Sequence, residues 1–261
     1  KGLPSRDCIR RVLIALQPKA FQQSFEAWVR DHIQVDTTDG KQLVAIDGKC
    51  CRGSHDQSRE LGPLHLVSAW ASEQGIALGQ VATHDKSNEI TAIPLVLEQV
   101  DLARSIVTID AMGCQTAIAR QIINGGGDYV LSVKDNQPTL HQKIQVELED
   151  MLRDGGTGMQ HHQAVDGGHG RIETRDLWAV EGLDWLGEQA ADWAGLRSVV
   201  LVQSRRELTH GTASTERRYY ISSLPADASR LADCIRRHWG IENRLHYVLD
   251  VWFRQEVQPR L

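Results

Sequence analysis

The alternation of strand and helix patterns between residues 43 and 133 most restricts how this chain can fold. Three short apolar segments come first, and Ser72-Glu73-Gln74-Gly75 joins two of them as a polar turn typical of a hairpin. Helix-patterned segments then alternate with two more apolar strands. We predict strands at 43–47, 64–70, 76–82, 105–110 and 129–133, and helices at 88–100 and 116–123. The order βββαβαβ indicates a mixed α/β sheet flanked by helices.

The regions on either side of this core have other patterns. Apolar positions around Pro18 predict two short helices within residues 5–32. Glycine clusters and three β-leaning segments (171–180, 197–204 and 218–224) indicate a β-rich insertion. A single helix from about Ala228 to Trp252 follows, because apolar residues recur there at three- and four-residue steps. This helix is expected to pack against the sheet.

The expected organisation is therefore one core with an insertion. Its parts are a helical N-terminal region at 1–40, the end of a truncated longer region, a first core part at 41–154, the β-rich insertion at 155–224, and the final helix at 225–261.

Composition excludes several classes of protein. Apolar runs are far shorter than the roughly 20 residues that span a bilayer, and the first residues lack a secretory signal, so we expect a cytoplasmic protein. Five cysteines without a C-x-x-C pair suit neither a disulfide framework nor zinc. The net charge of −5 argues against general nucleic-acid binding, but residues 195–246 hold nine arginines against five acidic residues. A local basic face is therefore expected.

Three carboxylates are candidates for one site. Asp47 and Asp110 each end an apolar strand, where ligands collect at the carboxyl edge of a sheet. Glu242 falls near the centre of the apolar stripe of the final helix, where an unpaired charge costs several kcal/mol. Pairing with Arg237 or Arg244 is one solution, and metal coordination is the other. Together, the three predict a site for Mg²⁺, and two ions about 4 Å apart would activate a nucleophile for phosphodiester cleavage.

Seven segments, in order along nearly the whole chain, carry a resemblance to a known family. They are Val44-Ala45-Ile46-Asp47-Gly48-Lys49, Leu64-His65-Leu66-Val67-Ser68-Ala69-Trp70, Lys86-Ser87-Asn88-Glu89-Ile90, Thr108-Ile109-Asp110-Ala111-Met112-Gly113-Cys114-Gln115, Gly168-His169-Gly170-Arg171-Ile172-Glu173-Thr174-Arg175, Arg218-Tyr219-Tyr220-Ile221-Ser222-Ser223 and His238-Trp239-Gly240-Ile241-Glu242-Asn243-Arg244-Leu245-His246. The sequence resembles the bacterial H-repeat-associated, ISAs-type insertion-sequence transposases.

The resemblance implies an RNase H-like fold whose catalytic triad is Asp47, Asp110 and Glu242, with the β-rich insertion before the last acidic residue. It implies Mg²⁺-dependent cleavage at insertion-sequence ends and strand transfer into target DNA, with Mn²⁺ as a substitute metal. The partners implied are double-stranded DNA and, on that DNA, a second copy of the chain.

Departures from the family pattern keep two alternatives open. Family members usually begin with a further helical segment and continue past the region of Phe253. The wider group often has Tyr, Arg and Lys around the last Glu, where this chain has Ile235, His238 and Leu249. One alternative is an inactive remnant of a transposase, and the other is an RNase H-like nuclease without strand transfer.

Seven basic residues are candidates for contact with DNA phosphates. Those that follow strand ends near the proposed metals are Lys49, Arg52 and Lys134, and those that bracket a predicted hairpin are Arg205, Arg206, Arg217 and Arg218. Solvated surface is the alternative for the first group. Protection of a sheet edge is the alternative for the second.

Overall fold

The computed structural model describes residues 2–32, 40–51, 54, 62–83, 89–168, 170–208, 211 and 213–251. It has two compact units, residues 1–36 and 37–261. The first holds α1 (Arg6–Ala15) and α2 (Pro18–His32). Ser5 caps α1 by accepting a hydrogen bond from the Cys8 N–H at 3.3 Å. The two short helices predicted for residues 5–32 are confirmed.

The second unit begins with the predicted order of strands and helices. An antiparallel meander of β1 (Gln42–Cys51), β2 (Leu64–Ala71) and β3 (Ile76–Thr83) is followed by α3 (Glu89–Leu97), β4 (Ser105–Ile109), α4 (Thr116–Asn124) and β5 (Asp128–Val133). Strand β4 pairs in parallel with both β1 and β5. The order βββαβαβ and the mixed sheet are confirmed.

Helix α5 (Pro138–Arg153) follows β5 and has no counterpart in the sequence prediction. It buries Leu140, Ile144 and Leu148, spaced four residues apart on one face. This four-residue spacing of apolar residues is a helical signal in the sequence. Four polar residues separate the helix from β5.

Four antiparallel strands occupy the region expected to be β-rich. They are β6 (Gln160–Gly168), β7 (Arg171–Val180), β8 (Ser198–Leu208) and β9 (Ala213–Ser222), with the short helix α6 (Glu188–Asp192) between β7 and β8. Strand β9 pairs with β5, so all strands form one sheet in the order β3-β2-β1-β4-β5-β9-β8-β7-β6. Strand β6, absent from the prediction, has no buried residue and therefore no hydrophobic signal.

The final helix is interrupted, contrary to the prediction of a single helix to Trp252. Helix α7 (Ala228–His238) is followed by a π-helical segment (Ile241–His246) and α8 (Tyr247–Val251), and Trp252 lies outside the described residues. The wider π turn changes which side chains face inward. Ile241 is fully buried, whereas Glu242 is exposed, so the prediction that Glu242 is buried in the apolar stripe was wrong.

Helix α7 packs against the sheet, as expected. Its Leu231, Cys234 and Ile235 belong to a buried cluster with side chains of the central strands. The strand residues of this cluster include Leu43, Ile106, Val130, Leu177 and Val200. Packing of α7 therefore sets the end of the helix, and the π-helical segment after it, close to β1 and β4. In the described part of the chain, no helix is both long and apolar enough to cross a membrane.

Candidate active site

Parallel pairing of β1 with β4 places Asp47 beside Asp110. Ile46 is in register with Ile109, so the next residue on each strand is an aspartate at the same end of the sheet. Neighbouring strands lie about 4.8 Å apart. Asp110 directly follows β4 and caps the next turn, because its Oδ1 accepts a hydrogen bond from the Ala111 N–H at 2.5 Å. Asp47 does not end its strand as predicted, since β1 continues to Cys51.

Glu242 completes the set of predicted carboxylates. It stands in the first turn of the π-helical segment, and its side chain reaches the same cavity as Asp47 and Asp110. This catalytic cavity has a volume of about 70 Å³. The residues that line it are Asp47, Thr108, Ile109, Asp110, Val130, Ser132, Lys134, Arg218, Tyr220, Ile235, His238, Trp239 and Glu242.

Burial and like charges disfavour ionisation of the carboxylates. Burial, together with the charges of Glu242, Asp110 and Glu89, raises the pKa of Asp47 to about 7, against the opposing hydrogen bond from the Gly48 N–H. The pKa of Glu242 is also raised, by partial burial of its carboxylate at the cavity wall and by the charge of Asp110. A cation between these groups would relieve the repulsion.

The donor set suits a divalent cation. Carboxylate oxygens are the ligands that Mg²⁺ prefers, and three carboxylates line one small cavity. Within the described ranges, no three His, Cys, Asp or Glu side chains already form a group close enough to hold a metal ion. Asp110 and Glu242 are both exposed. Their side chains can therefore move toward a bound ion without repacking the core.

The predicted phosphate contacts near this cavity have different fates. The Lys134 Nζ lies 3.5 Å from Asp110 Oδ1 at the cavity wall, and the side chain is half exposed. Lys49 is buried within β1 and forms an ion pair with Asp250. The expectation that Lys49 follows a strand end was wrong, because β1 is longer than predicted. Arg52 lies outside the described residues.

A polar clamp that has no counterpart among the sequence predictions fixes the turn after Asp110. The side-chain amide of Asn136 donates to the carbonyl oxygens of Ala111 and Cys114, and Gln137 Nε2 donates to Cys114 O at 3.0 Å. Both residues belong to the loop between β5 and α5. The sequence signal was a short polar segment between a strand and Pro138, which does not say what the segment contacts.

Gly113, in the same turn, gives a stability prediction. A Cβ atom added there would lie 2.9 Å from Ile93 Cδ1 and still closer to Ile109 Cγ2. Gly113→Ala is therefore expected to lower the free energy of unfolding by about 1–3 kcal/mol through overpacking. Urea unfolding measures this. Gly62→Ala is the control, because no atom of the residues that the structure describes would lie within 4 Å of its Cβ. Equal midpoints for the two variants would contradict the packing at Gly113.

Two histidines also border the carboxylates. His238 Nδ1 is hydrogen-bonded to Thr108 Oγ1 at 2.9 Å, and His246 Nδ1 lies 3.4 Å from Asp47 Oδ2. Burial lowers the pKa of each imidazole to about 4, and Lys49 contributes at His246. Both are therefore neutral at neutral pH. The sequence analysis gave neither residue a role, because their approach to β1 and β4 depends on the end of α7.

The four arginines of the predicted hairpin lie on two faces of the sheet. Side chains alternate along a strand, so Arg205 and Arg217 lie on one face, while Arg206 and Arg218 lie on the opposite face. Strand β8 lies between β7 and β9, so edge protection is wrong for the two arginines of β8. All four form ion pairs: Arg205 with Glu207, Arg206 with Glu173, Arg217 with Glu149, and Arg218 with Glu216.

Arg218 has a further contact that sets it apart from the other three arginines. Its guanidinium carbon lies 4.7 Å from the centroid of the Trp239 ring, at the end of α7. It also lines the catalytic cavity and lowers the pKa of Glu242 against the larger effect of burial. Arg218 is therefore the hairpin arginine that reaches the carboxylates.

Several known proteins are similar in sequence to this chain. A family model described as a transposase DDE domain matches residues 38–260. "Uncharacterized protein in dhlA 3'region" of Xanthobacter autotrophicus is 44% identical over 87% of the chain and 74% of its own length. "Putative transposase YncI" of Escherichia coli O157:H7 is 38% identical over 98% of the chain and 65% of its own length. "H repeat-associated putative transposase YhhI" of Escherichia coli (strain K12) is 36% identical over 98% of the chain and 67% of its own length.

The chain spans about two thirds to three quarters of the length of these relatives. The match covers every described strand, from β1 to β9, and helix α7. The large sheet flanked by helices agrees with an RNase H-like fold. Transposases of this kind act on DNA and generally use divalent metal ions. The chain therefore belongs to the DDE transposase family, in the group of the H-repeat-associated transposases.

Proposed function

We propose that this chain carries the catalytic centre of a transposase that cleaves DNA at insertion-sequence ends and transfers the freed strand into target DNA. The observation that carries the proposal is the arrangement of Asp47, Asp110 and Glu242 around one cavity. Asp47 and Asp110 come from paired parallel strands, and Glu242 comes from the segment that follows α7. Family membership supports DNA as the substrate.

Asp47, Asp110 and Glu242 would hold the divalent ions, Mg²⁺ or in its place Mn²⁺. Two bound ions would supply Lewis-acid activation of the attacking hydroxyl and charge stabilisation of the leaving oxygen. Basic side chains of the protein would bind the negatively charged phosphate oxygens. Lys134 and Arg218 line the cavity and would hold phosphate oxygens beside the carboxylates.

The polar clamp and the neutral histidines would help to position the catalytic carboxylates. Asn136 and Gln137 fix the turn that follows Asp110, so the backbone at Asp110 keeps one location relative to β1. His246 contacts Asp47 as an uncharged group, because burial keeps its pKa near 4. It therefore adds no positive charge that would compete with a metal ion for the carboxylate.

The wider arrangement remains part of the proposal. Residues 155–224 would act as the insertion that precedes the catalytic Glu242, and residues 1–40 would belong to a helical region that engages DNA. An insertion sequence has two ends, so we expect two copies of the chain on double-stranded DNA. Arg205 and Arg217 face away from the catalytic cavity's side of the hairpin, so we assign them no contact with the reacting strand.

The chain is expected to nick supercoiled plasmid DNA when Mg²⁺ or Mn²⁺ is added and to leave it intact in EDTA, because the carboxylates would need cations to act. Agarose gels measure nicking. A labelled duplex oligonucleotide with a free 3′-hydroxyl, added with the plasmid, reports joining. Nicking together with joined products supports the transposase proposal. Nicking alone favours a nuclease without strand transfer, and no nicking with either metal favours an inactive remnant.

A further inference from the structure

A second and larger cavity adjoins the catalytic cavity. It is a groove of about 680 Å³ between the outer sheet, β6 to β9, and the wall formed by α7 and the π-helical segment. Four residues line both cavities, namely Arg218, Tyr220, Ile235 and Trp239. We call it the arginine groove, after Arg171, Arg175, Arg206, Arg218 and Arg236, which line it. Whatever occupies this groove is continuous with the contents of the catalytic cavity.

Strand register explains why these arginines share one face. In the strand register, Glu173 of β7 lies opposite Asp166 of β6 and opposite Arg206 of β8, so the three side chains form a row across the sheet. Adjacent rows on the same face contain Arg175 and Arg218. Arg236 faces the groove from α7. The groove therefore has basic side chains on both its walls.

The basic residues of the groove exceed its acidic residues. Asp166 accepts from Arg175 at 2.5 Å and from Arg236 at 3.2 Å, so this one carboxylate serves two guanidinium groups. These two arginines lower its pKa. Glu173 is also shared, since Arg175 and Arg206 lie 2.8 and 3.3 Å from its oxygens. Arg218 is paired with a third lining carboxylate, Glu216. Five arginines therefore face three carboxylates, and the groove keeps a net positive charge.

We propose that the arginine groove binds the sugar-phosphate backbone of single-stranded DNA and guides one strand to the catalytic cavity. This inference rests on the proposed function, since DNA must occupy the adjoining cavity. A groove of about 680 Å³ has the volume of a small-ligand site, which matches a few nucleotides of a single strand better than the full width of a duplex. Positively charged grooves with an aromatic side chain are typical of single-strand binding, and Trp239 supplies the aromatic group.

Phosphate binding would exchange partners within the arginine network. Each guanidinium can turn one donor pair from a carboxylate to a phosphate while the shared carboxylate keeps its other arginine. Counterions leave the DNA when phosphates bind, so affinity falls with salt by about 0.7 in log–log slope for each contact on a single strand. The groove therefore predicts a salt slope that depends on particular arginines.

Neighbouring arginines provide a matched test. Arg206 and Arg236 line the groove, whereas the adjacent Arg205 and Arg237 do not: Arg205 lies on the opposite sheet face, and Arg237 pairs with Glu73 and Asp233. The probe is a fluorescent oligodeoxythymidine of about ten nucleotides, titrated with the whole chain by anisotropy at several salt concentrations. EDTA is present throughout, so neither metal nor cleavage contributes.

Replacing Arg206 and Arg236 by Ala is expected to weaken binding by at least about tenfold and to lower the salt slope by about 1.4, for two lost contacts. Replacing Arg205 and Arg237 by Ala is expected to change neither. Circular dichroism melts verify folding. The single variant Arg236→Ala repeats the test at an exposed position, where the substitution is not expected to affect folding. Its salt slope is expected to fall by half as much as that of the double variant.

Equal losses in the two double variants would overturn the inference, as would binding of the duplex form of the probe in preference to the single strand. Failure of the parent chain to bind the oligonucleotide would also overturn it. The proposed function is tested separately by plasmid nicking. If the parent nicks DNA and both double variants bind the oligonucleotide as tightly as the parent, the groove proposal is wrong and the proposed function stands. If binding depends on the groove arginines but the parent does not nick DNA, the groove binds DNA and the proposed catalytic function is wrong.

Discussion

Glu242→Gln is expected to reduce metal-dependent nicking of plasmid DNA by at least about 10³-fold, because it removes one of three carboxylates that would hold the ions. Glutamine has nearly the same volume, and Glu242 is exposed, so the fold is expected to be retained. Asp110→Asn is expected to have the same effect for the same reason. Nicking rates of purified variants at equal concentration, with Mg²⁺ and separately with Mn²⁺, measure the loss.

Asp135→Asn is the matched control. Asp135 is a fully exposed carboxylate next to Lys134 and is not among the residues that line the catalytic cavity. Its replacement removes the same charge a short distance away and is expected to leave nicking within about twofold of the parent. If Glu242→Gln nicks as fast as Asp135→Asn does, Glu242 is not a catalytic residue and the triad is incorrectly assigned.

The strands and helices of the core could be predicted because their signals are local. Apolar runs define β1, β4 and β5, and the turn after Trp70 defines the hairpin of β2 and β3. Strand β6 could not be predicted in this way. Its residues are exposed or half-buried, and it exists because its backbone pairs with β7, so the cause lies in another strand.

Part of the site could also be predicted from the sequence. Parallel strands that each carry an aspartate after the apolar run bring Asp47 and Asp110 to one end of the sheet. The exposure of Glu242 could not be predicted, because a helical wheel assumes 100° per residue and the π turn after Gly240 breaks that assumption. The burial of Lys49 depends on its pairing with Asp250, about 200 residues later in the sequence.

The polar clamp and the histidines could not be predicted for a related reason. Asn136 contacts Cys114 across 22 residues, and His238 contacts Thr108 across 130. Nothing in the local pattern of either residue specifies its partner. Long-range polar contacts of this kind depend on how α5 and α7 pack, which becomes known only with the assembled sheet.

The second large effect is expected in stability. Asp47→Asn should stabilise the fold above pH 7 when no divalent metal is present, although it removes a catalytic carboxylate. The pKa of Asp47 is about 7 in the fold against an ordinary value of 3.8. Between these values the unfolded chain has lost the proton and the folded chain keeps it, so the free energy of unfolding falls as pH rises. Above pH 7 both states are ionised, and the penalty stays constant at roughly 4 kcal/mol or less.

His238 and His246 work in the opposite direction. Their pKa values are lowered to about 4, so the unfolded chain binds more protons than the folded chain up to about pH 6.5, and stability rises with pH in that window. The parent alone would therefore show a mixed profile. The difference between Asp47→Asn and the parent isolates the carboxylate, because both proteins keep the histidines.

Urea unfolding of both proteins at pH 5, 6, 7 and 8 in EDTA measures that difference. It is expected to grow in favour of Asp47→Asn up to about pH 7 and then level off. Mg²⁺ added at pH 8 should stabilise the parent, by about 2.7 kcal/mol at a hundredfold excess over its dissociation constant, and should stabilise Asp47→Asn much less. A difference that stays flat from pH 5 to 8 would mean that Asp47 ionises as an exposed carboxylate does. The crowding of acidic groups that makes a cation necessary would then be absent, and with it the physical basis for a metal site at this end of the sheet.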